Sequence, residues 1–163
     1  MPVAGLGAVG LLQVPLTAFF ASRRCPGTAI RSAIDWAVQQ ARERCAVIGG
    51  FHSLLEQSVL RLLLEAGSPA VVVLARPAVG ASIKSAWHDA LDAGTLAIIS
   101  RSASTVRLTE KASLDRNDLA ARLANRIVIG HASHDGTLAR QCTRWLTDGR
   151  LFRHVDDAGG PRP

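Results

Sequence analysis

Six short apolar runs, separated by segments of helical periodicity, constrain the fold of this 163-residue chain more than any other feature. The run AVVVL (70–74) contains no polar residue, as expected of a parallel strand that is covered on both faces. Regular alternation of strands and helices predicts an α/β fold in three layers, with helices on both faces of a mainly parallel sheet of about six strands. The predicted strands are 16–21, 46–48, 70–74, 96–100, 126–130 and 151–155.

Between these runs, apolar residues recur at spacings of three and four, which indicates amphipathic helices. We predict helices over residues 30–41, 53–66, 84–93, 115–124 and 138–146. Ser53 and Glu56 have the spacing of a capping box, and Asp135 is the expected N-cap of the last helix.

The hexapeptide GLGAVG (5–10) matches the glycine fingerprint of dinucleotide-binding folds. That fingerprint binds a pyrophosphate only when a strand precedes it and a helix follows it. Only four residues precede Gly5, and Pro15 interrupts the segment that follows Gly10. We therefore interpret residues 1–14 as a lead-in without a strand. A single domain is expected over residues 15–155, with a flexible tail over 156–163.

The composition favours a partner that carries phosphate groups and argues against a membrane-spanning protein. The net charge is +6, and 17 of the 19 basic residues are arginine, which suits bidentate contacts with phosphate. No run of about 18 apolar residues is present, so we expect no membrane segment. The three cysteines are an odd number without C-x-x-C spacing, which predicts free thiols in a cytoplasmic protein.

The residues that leave the predicted strands are rich in arginine, histidine and glycine. Because the carboxyl ends of parallel strands meet at one edge of a sheet, these exits should converge there, beside two helix amino termini. The alternative is that the arginines are scattered over solvated surface. We favour an anion site at that edge. The exits are SRR (22–24), GGFHS (49–53), Arg76, Ser100-Arg101 and His131.

Three further residue groups have both an ordinary and a functional interpretation. His52 is either a phosphate donor or a satisfied buried histidine. The segment HASHD (131–135) contains two histidines three residues apart in a loop, which is weak evidence for a metal site, so no metal is expected. Cys25 precedes Pro26 near a helix start, where its thiol pKa would be lowered. No cofactor motif is present.

Several segments together resemble the DNA-processing protein A (Smf) family. The resemblance rests on FFASRRCPG, VIGGFHS and DRNDLAARLANRIVIGHASHDGTLARQC, and it extends over residues 15–155. Ser22-Arg23 match the family's G-S-R loop, with Ala21 in place of the glycine. Arg116-Asn117 match its R-N pair near a helix start, and Gly136-Thr137-Leu138 match its G-[ST]-L turn.

This resemblance implies a Rossmann-like domain of the SLOG nucleotide-binding superfamily that pairs into homodimers. It implies a pocket for the phosphates of a nucleotide or of single-stranded DNA. Related phosphoribohydrolases release bases from nucleotides through a glutamate, but Arg140 stands at that position here. A nucleotide N-glycosidic hydrolase and a nucleotide-signal sensor are the two alternatives to a binding domain, which is expected to be non-catalytic.

The predicted site follows from the strand exits and from the resemblance together. Arg23, Arg24 and Arg116 would bind phosphate through their side chains, and His52 would orient a sugar or a phosphate. The glycine-rich loop and the last turn would contribute backbone N–H groups and hydroxyls. The candidate residues are Ser22, Arg23, Arg24, Gly49, Gly50, His52, Ser53, Arg116, Asn117, Gly136 and Thr137.

Overall fold

The computed structural model describes residues 3–102, 109–150 and 152–157. Within these residues, seven strands form one sheet in the order β1-β5-β4-β3-β2-β6-β7. All neighbouring strands are parallel except β1, which runs antiparallel to β5. The strands are β1 Ala4–Gly7, β2 Leu16–Ala21, β3 Ala46–Gly49, β4 Ala70–Leu74, β5 Leu96–Ser100, β6 Arg126–His131 and β7 Phe152–His154.

Five α-helices connect the parallel strands, and they cover both faces of the sheet. This confirms the predicted three-layer α/β fold. In the described part of the chain, no helix combines the length and apolar character needed to cross a membrane. The helices are α1 Gly27–Glu43, α2 Leu54–Glu65, α3 Ser85–Asp92, α4 Glu110–Leu123 and α5 Thr137–Thr147.

Alternation along β2 shows how the core is divided between the two faces. Phe19 stacks on Trp36 of α1, with ring centroids 5.0 Å apart. The next residue, Phe20, points to the opposite face and packs against Trp145 of α5 at 4.8 Å. Both phenylalanines are fully buried. The strand β2 therefore contributes side chains to the hydrophobic core on each face of the sheet, as expected of a central strand.

The first strand was not predicted, because the hexapeptide GLGAVG was interpreted as a lead-in. Ala4–Gly7 pairs along β5, and the glycines permit close packing at this edge. A Cβ on Gly7, whose φ is +75°, would lie 2.5 Å from the carbonyl oxygen of Leu96. A short 3₁₀ helix, Val9–Gln13, leads from there into β2.

Several helix boundaries differ from the predictions, and α1 begins three residues earlier than expected, at Gly27. Helix α4 begins at Glu110, five residues earlier than expected, because Thr109 caps it by accepting a hydrogen bond from the amide of Ala112. Asp135 is not the N-cap of α5. It has a left-handed conformation, with φ of 56°, and Gly136 occupies the cap position. Of the expected tail over 156–163, residues 158–163 lie outside the described residues.

The strand order places a topological switch point at β2. The chain runs from β2 outward through β3, β4 and β5, and then crosses back to add β6 on the other side of β2. Loops leaving β2, β3 and β6 therefore diverge above the carboxyl edge and leave a crevice there, where ligands of parallel α/β folds bind.

Candidate functional site

An open groove of about 690 Å³ lies at the carboxyl edge of the sheet. We call it the carboxyl-edge groove. Its walls are formed by the segments that follow β2, β3 and β6 and by the start of α4. The residues that line it are Ala21, Ser22, Arg23, Arg24, His52, Ser53, Glu56, Thr109, Glu110, Ser113, Leu114, Arg116, Asn117, Ser133, Gly136, Thr137, Leu138 and Gln141.

Most of the candidate residues converge in this groove, although they come from four separate segments of the chain. Gly49 and Gly50 do not line it. Gly50 instead lies directly beneath the side chain of Arg116, which does. The candidates that line the groove are Ser22, Arg23, Arg24, His52, Ser53, Arg116, Asn117, Gly136 and Thr137.

The segment after β2 is fixed to the segment after β6 through Ser22. The Ser22 amide donates to the carbonyl of His131 at 2.8 Å, and its hydroxyl accepts from the Ser133 amide at 2.9 Å. Ser22 therefore connects two walls of the groove. Arg23 and Arg24 follow at once, and both are exposed to solvent. The turn that carries these two guanidinium groups is therefore held in place by hydrogen bonds at the edge of the groove.

The carboxylate of Glu56 accepts backbone hydrogen bonds at the amino terminus of α2. Oε1 accepts from the amide of Ala21 at 2.9 Å, and Oε2 accepts from the amides of His52 and Ser53 at 2.8 and 3.2 Å. The Ser53 hydroxyl accepts from the Glu56 amide, which confirms the predicted capping box. Two amides of the glycine-rich loop, predicted as phosphate donors, are thus already bonded within the protein.

Glu56 is 6% exposed as a residue and lines the groove. Burial raises its pKa above the ordinary glutamate value, and the three amide hydrogen bonds and the charge of Arg116 oppose that rise. Sequence reasoning identified this residue only as a helix cap. The capping-box spacing was the signal that could have placed a buried acid in the site.

Arg116 projects from the second turn of α4 onto the backbone of Gly50. A Cβ on Gly50 would lie 2.2 Å from Arg116 Nε and 2.7 Å from its Cζ, so this contact requires glycine. Burial lowers the pKa of Arg116, while the charge of Glu56 acts to raise it. Because α4 begins at Glu110, the R-N pair lies in the second turn of the helix and not in its first turn, where the predicted helix over 115–124 would place it.

A network of side chains sets the orientation of the Arg116 guanidinium. Nε and an NH2 group of Arg116 donate to Oδ1 of Asn117 at 3.3 and 3.2 Å. Asn117 donates to the buried Gln141, which donates in turn to the Leu114 carbonyl and to Asp118, each at 3.1 Å. Gln141 was not predicted as a site residue, since it is a polar residue on an apolar helix face.

Helix α5 begins at the groove without a side-chain cap. Gly136 is its N-cap and makes no side-chain cap hydrogen bond, and among the described residues no acidic residue lies in the first turn of α5. A Cβ on Gly136 would lie 3.1 Å from the Ser133 carbonyl oxygen, which makes the turn tight for any other residue. In contrast to α2, this helix presents its partial positive charge to the groove without an internal anion.

His52 is exposed at the rim of the groove. Burial of part of the ring lowers its pKa, and the positive charges of Arg116, Arg23 and Lys84 lower it further. The ring is therefore neutral at pH 7. Three positive charges therefore act on this one imidazole.

The pKa of Cys25 is raised by burial and by the charge of Glu56, so the predicted lowering is wrong. Its thiol donates to the Ser22 carbonyl at 3.2 Å. His134 lies 3.2 Å from Asp135 at the surface, and the described ranges hold no group of three or more His, Cys, Asp or Glu residues suited to a metal ion.

Comparison with solved structures confirms the predicted resemblance at the level of the fold. DNA processing protein A from Streptococcus pneumoniae matches 93% of this chain with a TM-score of 0.76 and 17% identity, and the chain spans 54% of that protein. The Helicobacter pylori protein, whose structure concerns its single-stranded DNA binding mode, gives a TM-score of 0.76 at 15% identity, over 93% of this chain and 70% of that one.

A solved structure of a different kind of protein has a similar fold. The molybdenum cofactor carrier protein of Chlamydomonas reinhardtii matches 86% of this chain and 75% of its own length, with a TM-score of 0.57 and 17% identity. No protein-family model and no curated protein sequence matches the chain.

Proposed function

We propose that this chain binds single-stranded DNA, or a nucleotide, through phosphate contacts in the carboxyl-edge groove, and that it does so without catalysis. The observation that carries the proposal is the convergence of Arg23, Arg24 and Arg116 at the uncapped amino terminus of α5. Guanidinium groups and free helix amides are the donors that phosphate oxygens prefer in proteins.

The fold supports DNA as the ligand. The Helicobacter pylori relative is described by its single-stranded DNA binding mode, and its fold covers nearly all of this chain. Apart from the ring of His52, the described residues that line the groove contribute no aromatic side chain. Stacking of bases therefore adds little, and contacts to the phosphate backbone dominate the affinity.

Among the described residues, Glu56 and Glu110 are the two carboxylates that line the groove, and the bonding of the buried one, Glu56, supports binding without catalysis. Both oxygens of Glu56 accept backbone hydrogen bonds, so this carboxylate is held as a structural acceptor and not as a mobile acid or base. Three free cysteines support a reducing, cytoplasmic location. Assembly into a homodimer is part of the proposal, and the mass of the particle in solution measures it directly.

The experiment is a binding titration of labelled oligo-thymidine against mononucleotides, with the wild-type protein and Arg23→Gln. Each arginine that neutralises a phosphate of a single strand contributes about −0.7 to the slope of log affinity against log salt, so three arginines give a slope of about −2. Arg23→Gln should weaken binding about tenfold and make the slope shallower by about 0.7. Arg42→Gln, on an exposed part of α1 outside the groove, is the matched control.

Two results would refute the proposal. One is the absence of any binding to oligo-thymidine and to nucleotides at low salt. The other is an equal affinity of Arg23→Gln and wild type for every ligand that does bind. Release of free base from a nucleotide during the titration would refute the non-catalytic part alone.

A further inference from the structure

A second, smaller groove of about 350 Å³ lies on the opposite flank of α4. We call it the α4-flank groove. The segments that leave β4 and β5 form one wall, which includes Leu74, Arg101 and Ser102. A face of α4 that ends at Arg122 forms the other wall. Of the residues in the predicted site, Arg116 alone lines the α4-flank groove, and it lines the carboxyl-edge groove as well.

Helix α4 is the ridge between the two grooves. Positions 112, 115, 119 and 122 recur at three- and four-residue spacing and line the α4-flank groove. Positions 110, 113, 114 and 117 lie on the next face and line the carboxyl-edge groove. Arg116 lies between these faces, so its side chain joins the two grooves into one continuous surface.

The charges of the α4-flank groove leave two arginines without an internal partner. Its acidic residues are paired: Asp115 with Lys111 at 2.6 Å, and Asp118 with Arg144 at 2.5 Å. Over the ranges that the structure describes, Arg101 and Arg122 make no hydrogen bond or ion pair with another side chain or with the backbone. The groove is therefore positive where it faces solvent.

We propose that Arg101 and Arg122 bind phosphates of the same nucleic acid strand whose other phosphates occupy the carboxyl-edge groove, so that the strand crosses α4 at Arg116. This inference rests on the proposed function and decides between its two ligands. A mononucleotide fills one groove, because a cavity of 300 to 1,000 Å³ is the usual size for a single small molecule. Only a polymer of phosphates engages the arginines of both grooves together.

The test measures affinity as a function of strand length. Arg101→Gln/Arg122→Gln is compared with wild type on the dinucleotide dT2 and on the dodecamer dT12. The double variant should bind dT2 as wild type does and dT12 about tenfold more weakly, with a salt slope shallower by about 1.4 for two lost phosphate contacts. Glutamine keeps the helix propensity of α4 at position 122.

Two further variants separate a failure of this inference from a failure of the proposed function. Arg42→Gln/Arg61→Gln removes the same charge from exposed positions on α1 and α2 outside both grooves, and it should bind dT12 within about twofold of wild type, since distant charges are screened. Arg23→Gln should weaken dT2 and dT12 alike. Thermal melting checks that each variant is folded.

Each remaining outcome is informative. If the Arg101/Arg122 variant binds dT12 as wild type does while Arg23→Gln loses affinity, the second groove is not part of the binding track and the proposed function stands. Equal losses on dT2 and dT12 would also overturn the inference, because they indicate one shared pocket. If Arg23→Gln loses nothing, the proposed function itself fails.

Discussion

Arg116 and Gly50 are in direct contact across two elements that are 66 positions apart in the chain. The guanidinium rests on a backbone position where any Cβ would overlap its Nε, at 2.2 Å. The position of Arg116 in the groove thus depends on a glycine that does not itself line the groove. This relationship explains why a glycine belongs in the loop after β3 although amides of that loop bind Glu56.

Gly50→Ala should displace Arg116 and weaken ligand binding. It should change the free energy of unfolding by less than it changes the free energy of binding. The φ of Gly50 is not in the left-handed region, so alanine fits the backbone and only the side-chain contact is lost. We expect about a tenfold loss in affinity for oligo-thymidine, of the size of one lost charged hydrogen bond. Gly10→Ala, where a Cβ has no neighbour within 4 Å, is the control and should bind as wild type. Unchanged affinity in Gly50→Ala would show that Arg116 does not act on the ligand.

Glu56→Ala should destabilise the fold by about 2 to 3 kcal/mol. The substitution removes the acceptor of the buried amides of Ala21 and Ser53 and of the part-buried amide of His52, and unsatisfied buried donors carry such penalties. Equilibrium unfolding in urea measures the change. Glu65→Ala, at the exposed end of the same helix, should stay within about 0.5 kcal/mol of wild type. A loss of stability below about 1 kcal/mol would indicate that water molecules accept these amide hydrogen bonds almost as well as the carboxylate does.

The strands and layers follow from the sequence because apolar periodicity reports burial directly. The unbroken run of β4 and the alternation around Phe19 and Phe20 are enough to place a central parallel sheet. The edge strand β1 was missed because its residues are small and mostly exposed. They join the sheet through backbone pairing with β5, and that pairing leaves no hydrophobic pattern.

The convergence of the site was predictable for a different reason. Parallel topology fixes which loops share an edge, so Arg23 and Gly136 come together without knowledge of their side-chain contacts. The internal bonds of the site were not predictable. Glu56 occupies the amides of the glycine-rich loop, and Gln141 orients Asn117, through contacts between segments that no local spacing in the sequence encodes.

Gln141→Met should destabilise the protein by about 1 to 3 kcal/mol. Methionine keeps the volume, but the Leu114 carbonyl, Asp118 and the Asn117 amide each lose a partner in a part-buried setting. The fluorescence of Trp145 should change as well, since its Nε1 donates to Asp118 at 3.0 Å. Gln39→Met on the exposed face of α1 is the control, and it should alter neither stability nor fluorescence. An unchanged urea midpoint for Gln141→Met would contradict the role given to this network.

Affinity for oligo-thymidine should rise as the pH falls from 7.5 to 5.5. His52 is neutral at pH 7 because its pKa is lowered by burial and by the charges of Arg116, Arg23 and Lys84. A bound phosphate opposes those cations and raises this pKa, so protonation and binding favour each other.

His52→Gln tests the contribution of this histidine. Its affinity should rise less than that of wild type between pH 7.5 and 5.5 at constant ionic strength, because the variant has no imidazole to protonate. Without ligand, the sign for stability is the opposite. The folded-state pKa of His52 lies below its unfolded value of about 6.5, so its contribution is complete above that pH and is lost as the pH falls through the folded-state pKa. Identical pH profiles for wild type and His52→Gln, in binding and in melting temperature, would exclude His52 from the electrostatics of the groove.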